Sequence, residues 1–228
     1  MEQLIGGYRL DIPSHAFPLS TDSMVLSDFV RLPKNASVLE LGAGCGTLGL
    51  LLCAKDPSCR VTGIELDSDA HEAALFNIQN NGLQTRMHSI CADIRNVTGI
   101  LPPGAFACCI SNPPYFSGGE IGAAALARHS FACTPEELFR AAAWAVQYGG
   151  DFFLVHKPEK LAQLCACAVS AGLEPKRLRL VRHKPDATVS LILLQCRKGG
   201  KPGLVWEELV LQNADGSPSD QYRNIYHL

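Results

Sequence analysis

Missing from this chain of 228 residues is any Cys-x-x-Cys pair: its ten cysteines are scattered, and none stands at zinc-ligand spacing from a histidine. No metal site is therefore expected. Most of the thiols lie inside apolar runs, where a free cysteine behaves as a small hydrophobe, which points to a reducing cytoplasm. The start, Met1 to Gly7, lacks the basic residues and apolar core of a signal peptide, and no apolar run approaches the roughly 18 residues a membrane span needs. The chain is thus expected to be soluble and cytoplasmic, with no membrane partner, and the triplets Asn35-Ala36-Ser37 and Asn96-Val97-Thr98 are chance matches to a glycosylation signal. Neither sign of charge dominates: 20 Lys and Arg face 22 Asp and Glu, a net charge of -2. That balance counts against a nonspecific nucleic-acid binder, whose domain is usually basic. No internal repeat or low-complexity segment occurs.

What is present is alternation. Short runs rich in Val, Ile and Leu alternate with longer segments of helical period, the pattern of an α/β domain with a mostly parallel sheet. Strands are expected near Ser37 to Leu41, Arg60 to Glu65, Arg86 to Cys91, Phe106 to Ser111, Asp151 to His156, Arg177 to Arg182 and Thr188 to Cys196. Helices fit near Thr47 to Lys55, Ser68 to Asn81, Pro135 to Tyr148 and Pro158 to Ala171. Thr134 with Glu137 reads as a capping box, and Gly149-Gly150 and Gly172 as stops for the last two helices. Only His183 to Ala187 separate the last two strands, too few for a helical crossover, so they should form an antiparallel hairpin. Leu204 to Leu211 is a candidate edge strand. The first 35 residues read as an N-terminal extension, with Ser20 capping a helix from Thr21 to Arg31, and residues 36-228 as the main domain.

Val38-Leu39-Glu40-Leu41 runs into Gly42-Ala43-Gly44-Cys45-Gly46 and then a helical stretch. Glycines there permit a tight turn and let backbone N–H groups meet a ligand at the helix start. Glu65, with Leu66 beside it, closes the next strand, where an acid can take both hydroxyls of a ribose. Gly44-x-Gly46-x-x-Gly49 matches the dinucleotide fingerprint literally, but that fingerprint's first glycine directly follows the strand, and in that frame Thr47 holds the third glycine's place. A carboxylate at Glu40 would also repel a pyrophosphate, whereas it suits a ligand with a cationic amino-acid end.

At the end of Phe106 to Ile110 stands Asn112-Pro113-Pro114-Tyr115. A conjugated amine has its lone pair delocalised into the neighbouring π system and must localise it and aim it at a methyl donor before it can attack. The Asn112 oxygen and a backbone carbonyl, with no N–H on Pro113 to compete, can each accept one amino hydrogen, while Tyr115 offers a ring for stacking. Asn-Pro is also a common turn dipeptide, so the motif alone leaves an ordinary turn open. Lys176, Arg177, Arg179, Arg182 and Lys184 gather in one stretch, readable either as a solvated strand face or as a phosphate-binding patch.

The frame Glu40-x-Gly42-x-Gly44-x-Gly46 with Glu65 resembles that of class I S-adenosylmethionine-dependent methyltransferases, a Rossmann-like doubly wound fold. By that resemblance Ala92 and Asp93 hold the adenine of S-adenosylmethionine. Gly6-Gly7-Tyr8-Arg9-Leu10, Phe17-x-Leu19-Ser20-Thr21-Asp22-Ser23, Asn112 to Phe116, Ala127-Arg128-His129, His156-Lys157-Pro158-Glu159 and Arg182-His183-Lys184-Pro185 further resemble the bacterial tRNA1(Val) adenine-37 N6-methyltransferase family over nearly the whole chain. The resemblance implies that Thr21 and Asp22 lie over the cofactor, that Asn112 to Tyr115 hold the target adenine, and that tRNA is the partner; the sequence does not fix the oligomeric state, and a monomer is expected. Phe116, Arg128, His129, Arg179 and Arg182 are then candidate substrate contacts. Ser130 stands where relatives often carry an acid.

Alternatives stay open. Protein-glutamine N5-methyltransferases share the catalytic turn, although they carry a sizeable helical domain before the glycine loop. Ribosomal guanine N2-methyltransferases share it too. A methyltransferase-like binding module without activity, or a dehydrogenase, is disfavoured by the complete turn and by the glycine register respectively.

Overall fold

The computed structural model describes residues 2–12, 19–114 and 133–227. Two short strands, β1 (Glu2–Gln3) and β2 (Arg9–Leu10), form a small antiparallel pair, followed by helix α1 (Thr21–Phe29). Then come β3 (Ser37–Leu41), α2 (Thr47–Lys55), β4 (Arg60–Glu65), α3 (Ser68–Asn80), β5 (Met87–Cys91), the single turn α4 (Val97–Ile100) and β6 (Phe106–Ser111). Beyond the second described break lie α5 (Pro135–Ala145), β7 (Val146–His156), α6 (Leu161–Ser170), β8 (Leu173–Arg182), β9 (Val189–Lys198), β10 (Val205–Val210) and α7 (Asp220–Tyr226).

One eight-stranded sheet runs in the order β10-β8-β9-β7-β6-β3-β4-β5. Every neighbouring pair is parallel except those made by β9, which is antiparallel to both β7 and β8. The expected hairpin and edge strand are thus both present. The four-residue helices and longer that join parallel strands lie on both faces, because side chains of a strand alternate between them.

The alternation is visible in two cores. Val38, Ile110, Phe153 and Val155 face α1, α2 and α3, meeting Leu26, Phe29, Leu50 and Ile78. Leu39, Cys109, Phe152 and Leu154 face the other way, onto Leu138 and Phe139 of α5 and Leu164 of α6. Each core has an edge-to-face aromatic pair, Phe29 on Phe153 at 6.1 Å and Phe139 on Phe152 at 5.2 Å between centroids. Truncating any of these fully buried rings to Ala should cost about 3 to 5 kcal/mol. Leu4 and Leu10 from the N-terminal arm, and Ile225 from α7, belong to the first core, so the arm and α7 both pack into it.

Two expectations are corrected: β8 begins at Leu173, paired with Lys198, four residues before the strand expected from Arg177, and β7 also begins early. The helix expected over Pro135 to Tyr148 stops at Ala145, and β7 begins at Val146 rather than Asp151. Val146 pairs with Phe106, the register then shifts, and pairing resumes at Cys108 with Asp151. Gly149, at φ 78°, therefore takes up the irregularity inside a strand and does not stop a helix. The capping box is as expected: the Thr134 N–H donates to Glu137 Oε2 at 2.8 Å, and the Glu137 N–H to Thr134 Oγ1 at 3.2 Å. No helix among the described residues is long and apolar enough to cross a membrane.

Candidate cofactor and catalytic site

Strands β6, β3, β4 and β5 are adjacent and parallel, so their carboxyl ends share one rim. That geometry gathers the turn at Asn112, the glycine loop after Leu41, Glu65 with Leu66, and Ala92 with Asp93, which is where open α/β sheets bind ligands.

The glycine loop is fastened from below. The N–H groups of Gly42 and Ala43 both reach the Ile64 carbonyl at 3.0 Å, and the Gly46 N–H returns to the Ala43 carbonyl at 2.9 Å. Such a fold back needs left-handed backbone, and Gly42 and Gly46 supply it at φ 73° and 84°. Gly63 on β4 lets the loop sit close, since a Cβ there would come within 2.7 Å of the Ala43 Cβ. Glu65 does more than end a strand. Its Oε2 accepts from the Gly44 N–H at 2.7 Å and its Oε1 from the Asp67 N–H at 2.8 Å, so one carboxylate fixes the glycine loop and the start of α3. Each oxygen keeps a second lone pair for a hydroxyl.

Glu40 is a different kind of acid. It is 2% exposed, and its Oε2 accepts from the Gly49 N–H at 3.1 Å in the first turns of α2. Burial pushes its carboxyl up to about 8; the Gly49 bond opposes the rise and the nearby Glu65 adds to it. A ligand bringing a positive charge to this loop would favour the ionised form. Asp93 moves the other way: the Arg95 side chain holds it below the usual carboxylate range. Its Oδ1 takes the Arg95 N–H and its Oδ2 the guanidinium, at 2.8 and 2.7 Å.

At the end of β6 the Ser111 hydroxyl donates to the Leu41 carbonyl at 2.7 Å, tying the turn to the strand that carries the glycine loop. Asn112 Nδ2 donates to Ser23 Oγ of α1 at 3.2 Å, which leaves its carbonyl oxygen as the acceptor for a substrate. Pro113 is buried and Pro114 exposed. Ser23 is itself buried in α1, whose start is capped by Ser20 accepting from the Ser23 N–H at 3.4 Å. Thr21 and Asp22 thus open the helix that supports the turn, and the Tyr226 hydroxyl reaches Thr21 Oγ1 at 3.5 Å. Tyr115, Phe116, Arg128, His129 and Ser130 lie outside the described residues, as does Phe17.

The basic stretch divides. Arg177 and Arg179 point under α1, within 4.3 and 5.1 Å of the Phe29 ring centre. Arg179 is paired with Asp28 at 2.6 Å and with Glu207 at 2.8 Å, and Arg177 with Glu207 at 3.1 Å. Arg182 ends β8 on the same rim as Asn112 and lies 3.6 Å from Glu208. Ser23, Arg95, Tyr226 and Asn77 enter the site's framework without having been expected there. The Asn77-x-x-x-Asn81 spacing was visible in the sequence, but the partners of both residues are far away along the chain.

The family model of the methyltransferase small domain matches residues 20–165. A tRNA1(Val) (adenine(37)-N6)-methyltransferase from Tolumonas auensis is 30% identical, over 94% of this chain and 90% of that protein. One of the same name from Photobacterium profundum is 26% identical over 94% and 92%. Among solved structures, a predicted O-methyltransferase from Agrobacterium tumefaciens superposes with a TM-score of 0.77 at 21% identity, covering 91% of this chain and 96% of that one.

Proposed function

The chain belongs to the methyltransferase small domain family, and from that membership we propose that it transfers the methyl group of S-adenosylmethionine to N6 of an adenine in tRNA. Adenine 37 of tRNA1(Val) is the base for which its relatives are named. The observation that carries the reading is the Asn112 amide, whose Nδ2 is committed to Ser23 and whose oxygen is thereby kept for an amine.

The residues present fit the cofactor. Glu65 has lone pairs for the ribose hydroxyls, Ala92 and Asp93 border the place of its adenine, and Glu40 lies beneath the loop that would meet its cationic amino-acid end. Thr21 and Asp22 lie at the start of the helix above. Bound S-adenosylmethionine supplies an electrophilic methyl on a sulfonium sulfur. Asn112 Oδ1 and a backbone carbonyl of the turn accept the two amino hydrogens, which favours localising on nitrogen the lone pair that is otherwise delocalised into the ring and aims it at the methyl carbon. Tyr115, with Phe116, stacks a base flipped from the RNA, and Pro113 contributes no competing N–H. No strong base is required, because the nitrogen becomes acidic only after the N–C bond forms, when water or the turn carbonyl takes its proton. Catalysis then consists mainly of positioning.

Arg182, with Arg128 and His129, is assigned to RNA contact, whereas Arg179 braces α1. Residues 1–35 serve as a cover to the cofactor site, residues 36–228 as the catalytic domain, and the enzyme works as a cytoplasmic monomer. The test is nucleoside analysis of tRNA incubated with the enzyme and methyl-labelled cofactor. Label is expected as N6-methyladenosine; its appearance in a protein glutamine, or in a guanine, would overturn the substrate while keeping the mechanism.

A further inference from the structure

Helix α3 and its C-cap residue Asn81 present two primary amides one turn apart to the N-terminal arm. Asn81 Oδ1 accepts from the Arg9 N–H, and Asn81 Nδ2 donates to the Arg9 carbonyl, both at 2.7 Å. Asn77 repeats the pattern on Asp11, at 2.8 and 2.9 Å. The match is geometric: four residues of helix advance about 6 Å and two residues of extended chain about 6.7 Å. Side-chain amides here stand in for a partner strand.

The two asparagines differ in where the second amide hydrogen goes. Asn81 returns it to the carbonyl of Asn77 in its own helix, at 2.7 Å. Asn77, which is 0% exposed, sends it to the Cys45 carbonyl in the glycine loop at 3.0 Å. The Cys45–Gly46 peptide is thus held on both sides, its carbonyl by Asn77 and its N–H by the Ala43 carbonyl. Turning that plane would redirect the N–H groups at the start of α2. A single buried amide therefore spans the arm and the loop, and losing its donors would take this partner from the buried Cys45 carbonyl and the half-buried Asp11 carbonyl.

We propose that Asn77 is a positioning residue that couples docking of the N-terminal arm to the shape of the cofactor loop, so that each stabilises the other. The inference rests on the reading that this loop holds S-adenosylmethionine. Because such coupling is reciprocal, cofactor binding must tighten the arm as much as the arm tightens cofactor binding.

The experiment is hydrogen exchange on the arm amides, with affinity for S-adenosylhomocysteine measured in parallel, in wild type, Asn77→Ala and Asn81→Ala. In wild type the ligand should slow exchange at Arg9 and Asp11. Asn77→Ala should weaken ligand binding by about tenfold, within the usual range for coupled sites, and abolish the ligand-induced slowing. Asn81→Ala should speed exchange at Arg9 yet leave affinity within about twofold, the size of a minor coupling. A purely structural Asn77 would raise arm exchange equally with and without ligand and leave affinity alone, and that result overturns the proposal. So does a wild-type arm indifferent to ligand, a measurement that stands even if Asn77→Ala fails to fold. Absence of any binding by wild type would instead remove the cofactor reading on which the coupling rests.

Discussion

The two halves of the sheet use charged side chains in opposite ways. On the β3, β4, β5 side, carboxyl groups at strand ends accept main-chain N–H groups: Glu65 from Gly44 and Asp67, Glu40 from Gly49, and Asp93 from Arg95, whose guanidinium it also pairs with. On the β8, β10 side, charges meet one another, Arg177 and Arg179 sharing Glu207 and Arg179 also taking Asp28. The first arrangement shapes loops and keeps lone pairs for a ligand. The second satisfies its charges internally and clamps α1 through Phe29. Density of charge along a sequence thus says less about a binding site than the kind of partner each charge finds.

The largest effect expected on the loop-shaping side is one of pH. Glu40 has a folded pKa raised to about 8, so between its unfolded value and 8 the native state holds the extra proton. Stability of the ligand-free protein should then fall as pH rises through that window, by on the order of 1.4 kcal/mol per unit, and level off above it. Denaturant titrations from pH 5 to 9 should show this slope in wild type and a much flatter one in Glu40→Gln; equal slopes would mean that Glu40 is ionised in the fold.

Next in size is Asn112→Ala, which removes the acceptor that aims the lone pair. Single-turnover methyl transfer should drop at least about 100-fold, roughly 2.7 kcal/mol, with cofactor affinity unchanged. Near-normal turnover would sink the positioning mechanism. Glu65→Ala should weaken S-adenosylmethionine binding by about 1.5 to 3 kcal/mol, because it loses charge-assisted bonds to the ribose as well as the anchor of Gly44. Calorimetry giving wild-type affinity would remove Glu65 from the site.

The smallest effect sharpens the contrast from the other half. Arg179→Met should cost about 1 to 2 kcal/mol of stability, more than an ordinary surface pair, since the guanidinium is mostly buried and lies over Phe29. The salt dependence of RNA binding should not change. A flattened salt slope without loss of stability would make the arginine a phosphate contact and dissolve the distinction between the halves.

Much of this was legible in the residues themselves. The bounds of α2 follow from the glycine loop and are met at Thr47 and Lys55, the capping box of α5 is complete, and the short stretch His183 to Ala187 allowed only a hairpin between β8 and β9. These signals are local. Where β7 begins was misread because a glycine pair looks the same at a helix end and in a strand irregularity. The closing helix α7, whose Tyr226 reaches Thr21, carried no distinctive signal.

The sequence by itself determined the alternation of strands and helices, the order of the glycine loop, acid and Asn-Pro-Pro turn at successive strand ends, and hence the chemistry the rim can perform. Those depend on side-chain periodicity and backbone freedom within a few residues. Only the tertiary structure decided that Ser23 orients Asn112 across 89 positions, that Asn77 joins Asp11 to Cys45, and that Arg179 is consumed by Asp28 across 151. A hydrogen bond needs its partners within about 3 Å, and for residues so far apart that proximity is created by packing the two cores, not by anything written next to either residue.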